Sequence, residues 1–246
     1  MVDRLFAAPE LAALYDLFCA WDRRDDLGFY LPMVMAAGSV LDVGCGTGML
    51  LRRARQEGHA GRLCGLDPAA AMLAVARERR DIEWIEGDLS AAGFDRGFDL
   101  IVMTGHAFQV LTGDAELRDG LAAIADALAG NGRFAFETRN PAARGWEKWT
   151  PANAVEVADP AGGTWRQSHQ VDLPVMGDLV SFTATYTGPG WDQPRSSRST
   201  LRFLGAGALD GFLSAAGLRV EARYGDWDRG PLADVSPEII TIARPG

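Results

Sequence analysis

The stretch Val40-Leu41-Asp42-Val43-Gly44-Cys45-Gly46-Thr47-Gly48 constrains the fold more than any other part of the chain. An apolar strand pattern runs into a turn with glycine at alternate positions, and a helical pattern starts at once with Met49. Glycine admits positive φ and lets a ligand approach the backbone with no Cβ in the way. A helix beginning there turns its unpaired N–H groups toward whatever the turn holds. Dinucleotide-binding enzymes use the same device with the spacing G-x-G-x-x-G. Here the third glycine comes one residue early, and Met49 stands where theirs would be.

The rest of the chain continues as alternating strands and helices, the pattern of a mainly parallel sheet covered on both faces. Strands are expected at 40–43, 62–66, 82–85, 98–103 and 134–136, with helices at 49–56, 69–79 and 114–129. The fourth strand, apolar throughout its last residues, is expected at the centre of the sheet. Leu117, Leu121, Ile124 and Leu128 recur at helical spacing, and Gly130-Asn131-Gly132 is read as the stop of that helix. Between 145 and 203 helical periodicity vanishes; Ser181-Phe182-Thr183-Ala184-Thr185-Tyr186 alternates, and Gly188-Pro189-Gly190 closes it. A structureless loop of that length is improbable inside a domain, so this segment is expected to be an antiparallel insertion. A helix at 209–216 stopped by Gly217 and strands at 219–224 and 238–242 complete the pattern. The chain thus divides into a helical cap (1–38), a core (39–144), the insertion or lid (145–203) and closing elements (204–246), all in one domain. Leu11, Leu14, Tyr15 and Phe18 share one face of the cap.

Two acids follow the glycine turn at telling places. Asp67, in Gly65-Leu66-Asp67-Pro68, ends the second strand about 20 residues beyond the glycines, where a carboxylate is placed to accept ribose hydroxyl protons. The alternative is that it caps the next helix, with Pro68 at the first position. Asp88, in Ile85-Glu86-Gly87-Asp88, ends the third strand; it either serves a turn or accepts the protons of an adenine amino group. A glycine turn and two acids on adjacent strand ends surround the crevice where α/β sheets bind ligands.

These residues resemble the class I S-adenosylmethionine-dependent methyltransferases, with the similarity running from Val40 to Asn140. Residues 40–48 match the family's first motif, Asp67 its ribose acid, Asp88 its adenine-side acid with Leu89 following, and Phe98-Asp99-Leu100-Ile101-Val102 its fourth-strand motif. The resemblance implies a Rossmann-like seven-stranded sheet with helices on both faces and the last strand antiparallel. It also implies S-adenosylmethionine as cofactor, held by Asp42, Gly44, Gly46, Gly48, Asp67, Asp88, Leu89 and Thr104. The insertion is similar in placement to that of small-molecule N-methyltransferases.

On the acceptor side, Met103-Thr104-Gly105-His106-Ala107-Phe108-Gln109 follows the fourth strand, and His106 is the candidate base or orienting group. Arg139 follows the fifth strand and is placed to grip an acceptor carboxylate. Trp146, Trp149 and Trp165 either line an acceptor pocket or form the lid's own core. The net charge is −9 and no basic run exceeds Arg52-Arg53 or Arg79-Arg80, which excludes a phosphate backbone as partner. The expected acceptor is therefore a small molecule with nitrogen or oxygen to methylate. Three cysteines (Cys19, Cys45, Cys64) without ligand spacing predict no metal site, and with no leader or long apolar run the expected setting is cytoplasmic. Two rival readings remain: a non-catalytic cofactor-binding sensor or assembly protein, and a nicotinamide-dependent dehydrogenase, against which the glycine spacing and Asp88 both count.

Overall fold

The structure, a computed structural model, describes residues 2–89, 93–94 and 97–246. Seven strands form the main sheet: β1 (Ser39–Val43), β2 (Arg62–Asp67), β3 (Glu83–Glu86), β4 (Phe98–Met103), β5 (Leu128–Arg139), β10 (Leu218–Tyr224) and β11 (Glu238–Pro245). Their order is β10-β11-β5-β4-β1-β2-β3. The strands from β3 to β5 are parallel, and β11 runs antiparallel to both neighbours. The central position of β4 follows from its composition, since Leu100 to Met103 are all buried.

Side chains alternate between the two faces of each strand, so one strand feeds two cores. Leu41, Ile101, Phe134 and Phe136 pack with Leu117, Leu121 and Ile124 of α6 (Asp114–Ala127) and Leu209 and Leu213 of α7 (Ala206–Ala215). Val40, Leu100, Val102 and Ala135 pack on the other side with α3 (Asp25–Ala36) and α4 (Met49–Gln56). The expected helical cap therefore divides: α3 covers the sheet itself, while α1 (Arg4–Ala7) and α2 (Pro9–Phe18) lie elsewhere. No helix among the described residues is long and apolar enough to cross a membrane.

Two sequence expectations are corrected. Helix α5 spans only Ala70–Ala76, not 69–79. Beyond Ala76 the chain reads Arg-Glu-Arg-Arg, with no apolar side chain to bury, and the Arg79 carbonyl accepts the Trp84 indole N–H at 2.8 Å. Gly130-Asn131-Gly132 does not stop α6, which ends at Ala127, with Leu128 already extended. These residues form an irregularity in β5, where Leu128 pairs with Phe98 but Arg133 pairs with Leu100. Neither glycine has positive φ. Gly132 is needed because a Cβ there would lie 2.7 Å from the Phe98 carbonyl oxygen, so close backbone approach explains it.

The insertion is a second, antiparallel sheet in the order β6-β7-β8-β9, formed by Val155–Ala158, Thr164–Val171, Leu179–Thr187 and Arg195–Arg202. Helix α2 is pressed against it: Leu11, Leu14 and Phe18 pack on Val157, Trp165, Ala184 and Tyr186. Trp146 and Trp149, in short turns ahead of β6, pack with Phe182 and Phe203 at the other end of the sheet.

Candidate active site

The ends of β1, β2 and β3 meet around the glycine turn. Gly44, Gly46 and Gly48 all have positive φ (73°, 56° and 73°), the conformation that glycine alone adopts freely. A side chain at Gly44 would meet Ala107 and one at Gly46 would meet Met72, whereas at Gly48 a Cβ would stand 2.2 Å from the Trp84 ring. Gly48 therefore makes room for a packed indole, a reason that the sequence did not suggest. Asp67 accepts hydrogen bonds from the Gly46 N–H and the Ala69 N–H, both at 2.8 Å. The second bond closes a turn but is not the helix cap weighed as the alternative, because α5 starts at Ala70 with Ala69 at its cap position and Pro68 before it. The first ties the acid to the glycine turn. Burial raises its pKa, and these two bonds oppose the rise. The Asp67 carbonyl also accepts from the Gly87 N–H at 3.1 Å, fixing the end of β3 beside it; Asp88 is exposed there and Leu89 is buried. Above the turn, Thr47 Oγ1 donates to Asp16 Oδ1 at 2.6 Å, which fastens α2 across it.

Asp42 is 1% exposed, and among the described residues its Oδ1 has no hydrogen-bond partner. Burial pushes its carboxyl up to about 7; Arg24 opposes the rise, and Asp67, Glu137 and Asp26 add to it.

Beyond β4 the backbone makes two consecutive left-handed residues, Gly105 (φ 66°) and His106 (φ 64°), after buried Thr104. Positive φ at a histidine is uncommon and needs surrounding support. Glu137, fully buried in β5, supplies it: one carboxylate oxygen accepts the His106 N–H at 2.6 Å and the other accepts the Tyr30 hydroxyl at 2.5 Å. The His106 Nε2 then lies 3.0 Å from Glu238 Oε2, at the start of β11. Burial, with Arg139 and Arg24, holds the imidazole well below its ordinary value, so it is neutral at pH 7. Burial pushes Glu238 up to about 8, with Arg139 opposing and Glu137 adding. Sequence reasoning missed both glutamates. Glu137 directly follows the apolar run Phe134-Ala135-Phe136 near the end of β5, and neither acid carried a signal that set it apart from a solvent-facing one.

Arg139 ends β5 as expected. Its Nη1 donates to Gln109 Oε1 at 3.0 Å, and its guanidinium lies 5.1 Å from the centre of the Trp149 ring. Gln109 is 1% exposed and is itself held by donating to the Arg202 carbonyl at 2.9 Å. Arg24, paired with Asp26, reaches over Gly105 from the N-terminal segment. Of the sequence candidates, Asp42, Gly44, Gly46 and Asp67 converge on one turn, and His106 and Arg139 lie together at the adjacent strand ends. No three metal-ligating side chains cluster among the described residues. A nucleoside with a cationic amino-acid tail fits this set: Asp67 stands tied to the glycine turn, and the Asp42 oxygen without a hydrogen-bond partner among the described residues can take the donor such a tail would bring.

Residues 40–132 match the methyltransferase domain family. Over 61 residues, 23% of this chain and 27% of the other, the chain is 52% identical to a 2-phytyl-1,4-naphtoquinone methyltransferase of Thermosynechococcus vestitus. It is 34% identical to the dTDP-3-amino-3,6-dideoxy-alpha-D-glucopyranose N,N-dimethyltransferase of Streptomyces fradiae, covering 63% of this chain and 62% of that one. The chain thus spans less than two thirds of the length of these curated relatives. Its fold is similar throughout to an S-adenosylmethionine-dependent methyltransferase from Clostridium acetobutylicum, with a TM-score of 0.75 over 96% of this chain and 98% of the other at 17% identity. The chain is thus similar over residues 40–132 to the methyltransferase domain family, and throughout its length it shares its fold with an S-adenosylmethionine-dependent methyltransferase.

Proposed function

We propose that this protein transfers the methyl group of S-adenosylmethionine to a nitrogen of a small amine bound between the main sheet and the insertion. The observation that carries this is the pairing of neutral His106 with Glu238 at the carboxyl edge of the sheet, 3.0 Å apart and backed by buried Glu137. An amine arrives as its ammonium form, which carboxylates attract, and it must lose a proton before nitrogen can attack. Once ionised, above its pKa of about 8, Glu238 draws the cation, and the His106–Glu238 pair takes up the proton. The cofactor supplies a methyl group already activated on a sulfonium, so transfer is an in-line displacement. The protein's contribution is then to align the reacting atoms and present the nitrogen unprotonated.

Asp42, Gly44, Gly46, Asp67, Asp88, Leu89 and Thr104 would hold the cofactor, while Gly48 keeps Trp84 packed beneath it. Arg139 is the positive group on the acceptor side. The lid sheet and α2 restrict the acceptor to a small molecule, and the net charge of −9 disfavours nucleic acid. The amino-sugar N,N-dimethyltransferase relative supports nitrogen as the acceptor atom. Three free cysteines suit a cytoplasmic setting. A screen of small amines and alcohols, read as release of S-adenosylhomocysteine, tests the proposal. Turnover with amines is expected. Cofactor binding without turnover on any acceptor would favour a sensor, and turnover only with alcohols would overturn the nitrogen assignment.

A further inference from the structure

We propose that Arg139 and His169 form two jaws of a binding site for an anionic group of the acceptor, a carboxylate or a phosphate, with Arg139 on the sheet edge and His169 on the lid. This rests on the acceptor lying between sheet and lid, and it adds the chemistry of the acceptor's second group.

Arg139 is a partly buried cation with no ion pair among the described residues; Glu238 and Glu137 act on its charge only from beyond pairing distance. Its side chain makes one hydrogen bond among the described residues, to the neutral amide oxygen of Gln109, and no carboxylate there lies within ion-pair distance of it. The nearby glutamates are committed elsewhere: Glu137 to Tyr30 and the His106 N–H, Glu238 to the His106 ring. Burial already weakens its hold on its proton. A guanidinium kept charged away from water is costly unless something pairs with it, and its planar fork matches carboxylate and phosphate oxygens.

His169, on the lid, adjoins the same indole as Arg139. The guanidinium sits over Trp149 at 5.1 Å, and the His169 ring lies 6.4 Å from Trp149 and 5.7 Å from Phe182. His169 shares its strand face with Trp165 and Val171, which anchor two separate apolar clusters of the lid. A sheet face built only to pack would continue apolar between them. Instead this half-buried imidazole stands there, and among the described residues no group hydrogen-bonds to its ring nitrogens. Burial and the Arg139 charge keep it below its ordinary pKa, and Arg139 is the charged group that acts on it. An anion between the two would take hydrogen bonds from the guanidinium and the ring N–H and relieve both. With an amine directed at His106 and Glu238, the acceptor class becomes a small molecule carrying both an amino group and an acid.

The chain has three histidines, so their C2 protons can be followed one by one in proton NMR, with His169→Gln assigning the resonance. The wild-type protein is titrated with pH in sodium chloride, in acetate and in inorganic phosphate at matched ionic strength. An anion seated beside the ring should raise the His169 midpoint by about 1 unit, the low end of the effect of an adjacent opposite charge. A response to acetate assigns a carboxylate, and a response to phosphate assigns a phosphate; the anion acting at lower concentration names the class. Arg139→Gln should raise the midpoint in chloride and abolish the anion response. No shift with either anion in the wild-type protein overturns the proposal, and that measurement does not depend on the variant folding. A response that persists in Arg139→Gln overturns it as well. Calorimetry with S-adenosylmethionine on the same samples separates this outcome from failure of the methyltransferase assignment.

Discussion

Asp42 links cofactor affinity to pH, and the link can be calculated. Its carboxyl is buried at the end of β1, one oxygen lacks a partner, and burial pushes its pKa from 3.8 up to about 7. Below pH 7 the group is therefore neutral in the free protein. S-adenosylmethionine brings an ammonium and a sulfonium, and a cation prefers the ionised carboxylate. Binding at low pH must then expel a proton, so affinity falls as the ionised fraction falls. Between pH 7.5 and pH 5 that fraction drops roughly 75-fold, equivalent to about 2.5 kcal/mol of binding free energy at about 1.36 kcal/mol per unit. Asp42→Asn should flatten the profile and weaken binding at pH 7.5 by about 1.5–3 kcal/mol, the usual loss for a hydrogen bond to a charged group. Isothermal calorimetry at pH 6 in buffers of different ionisation enthalpy should show about one proton released by the wild-type protein, a number fixed by this linkage, and none by the variant. The free protein offers an independent check. Because the folded pKa stands above the unfolded one, the neutral group favours the fold at low pH, and that stability is lost as pH rises through 7. The melting temperature of the free protein should therefore fall between pH 5 and pH 8, less so in Asp42→Asn. A wild-type affinity independent of pH over this range would refute the reasoning.

His106→Ala should lower kcat by roughly 10²–10⁴ with cofactor affinity nearly intact, whereas His106→Gln should retain most of the rate if the ring only orients the acceptor. With Glu238 pushed up to about 8, kcat/KM should climb as pH passes through that value and Glu238→Gln should remove the climb; a wild-type profile flat from 7 to 9 contradicts the role given to Glu238. Gly48→Ala places a Cβ 2.2 Å from the Trp84 ring at φ 73°. Left-handed strain plus overpacking should cost about 2–5 kcal/mol in urea denaturation, and a loss below about 1 kcal/mol would show that Trp84 moves aside freely.

What the sequence determined by itself was whatever rests on local pattern. The glycine turn, the apolar strands and the helical spacing of Leu117, Leu121 and Ile124 are short-range signals, and they fixed the sheet, the central place of β4 and the glycine turn flanked by Asp42 and Asp67. The alternation at 181–186 likewise announced an antiparallel insertion. Where two local signals conflicted, the sequence misled: glycines at 130 and 132 fit a helix stop, but the approach of Phe98 across the sheet put them inside β5. Only the tertiary structure decided the acceptor side. Glu137, Glu238 and His169 are polar residues in strands, indistinguishable from solvent-facing ones until pairing and register are known. The burial of Glu137 and Glu238 depends on β11 lying beside β5, and the partial burial of His169 on Trp149 and Phe182 packing against it. The same long-range packing turned His106 from an ordinary imidazole into a neutral one, because desolvation depends on surrounding atoms that lie far away along the chain.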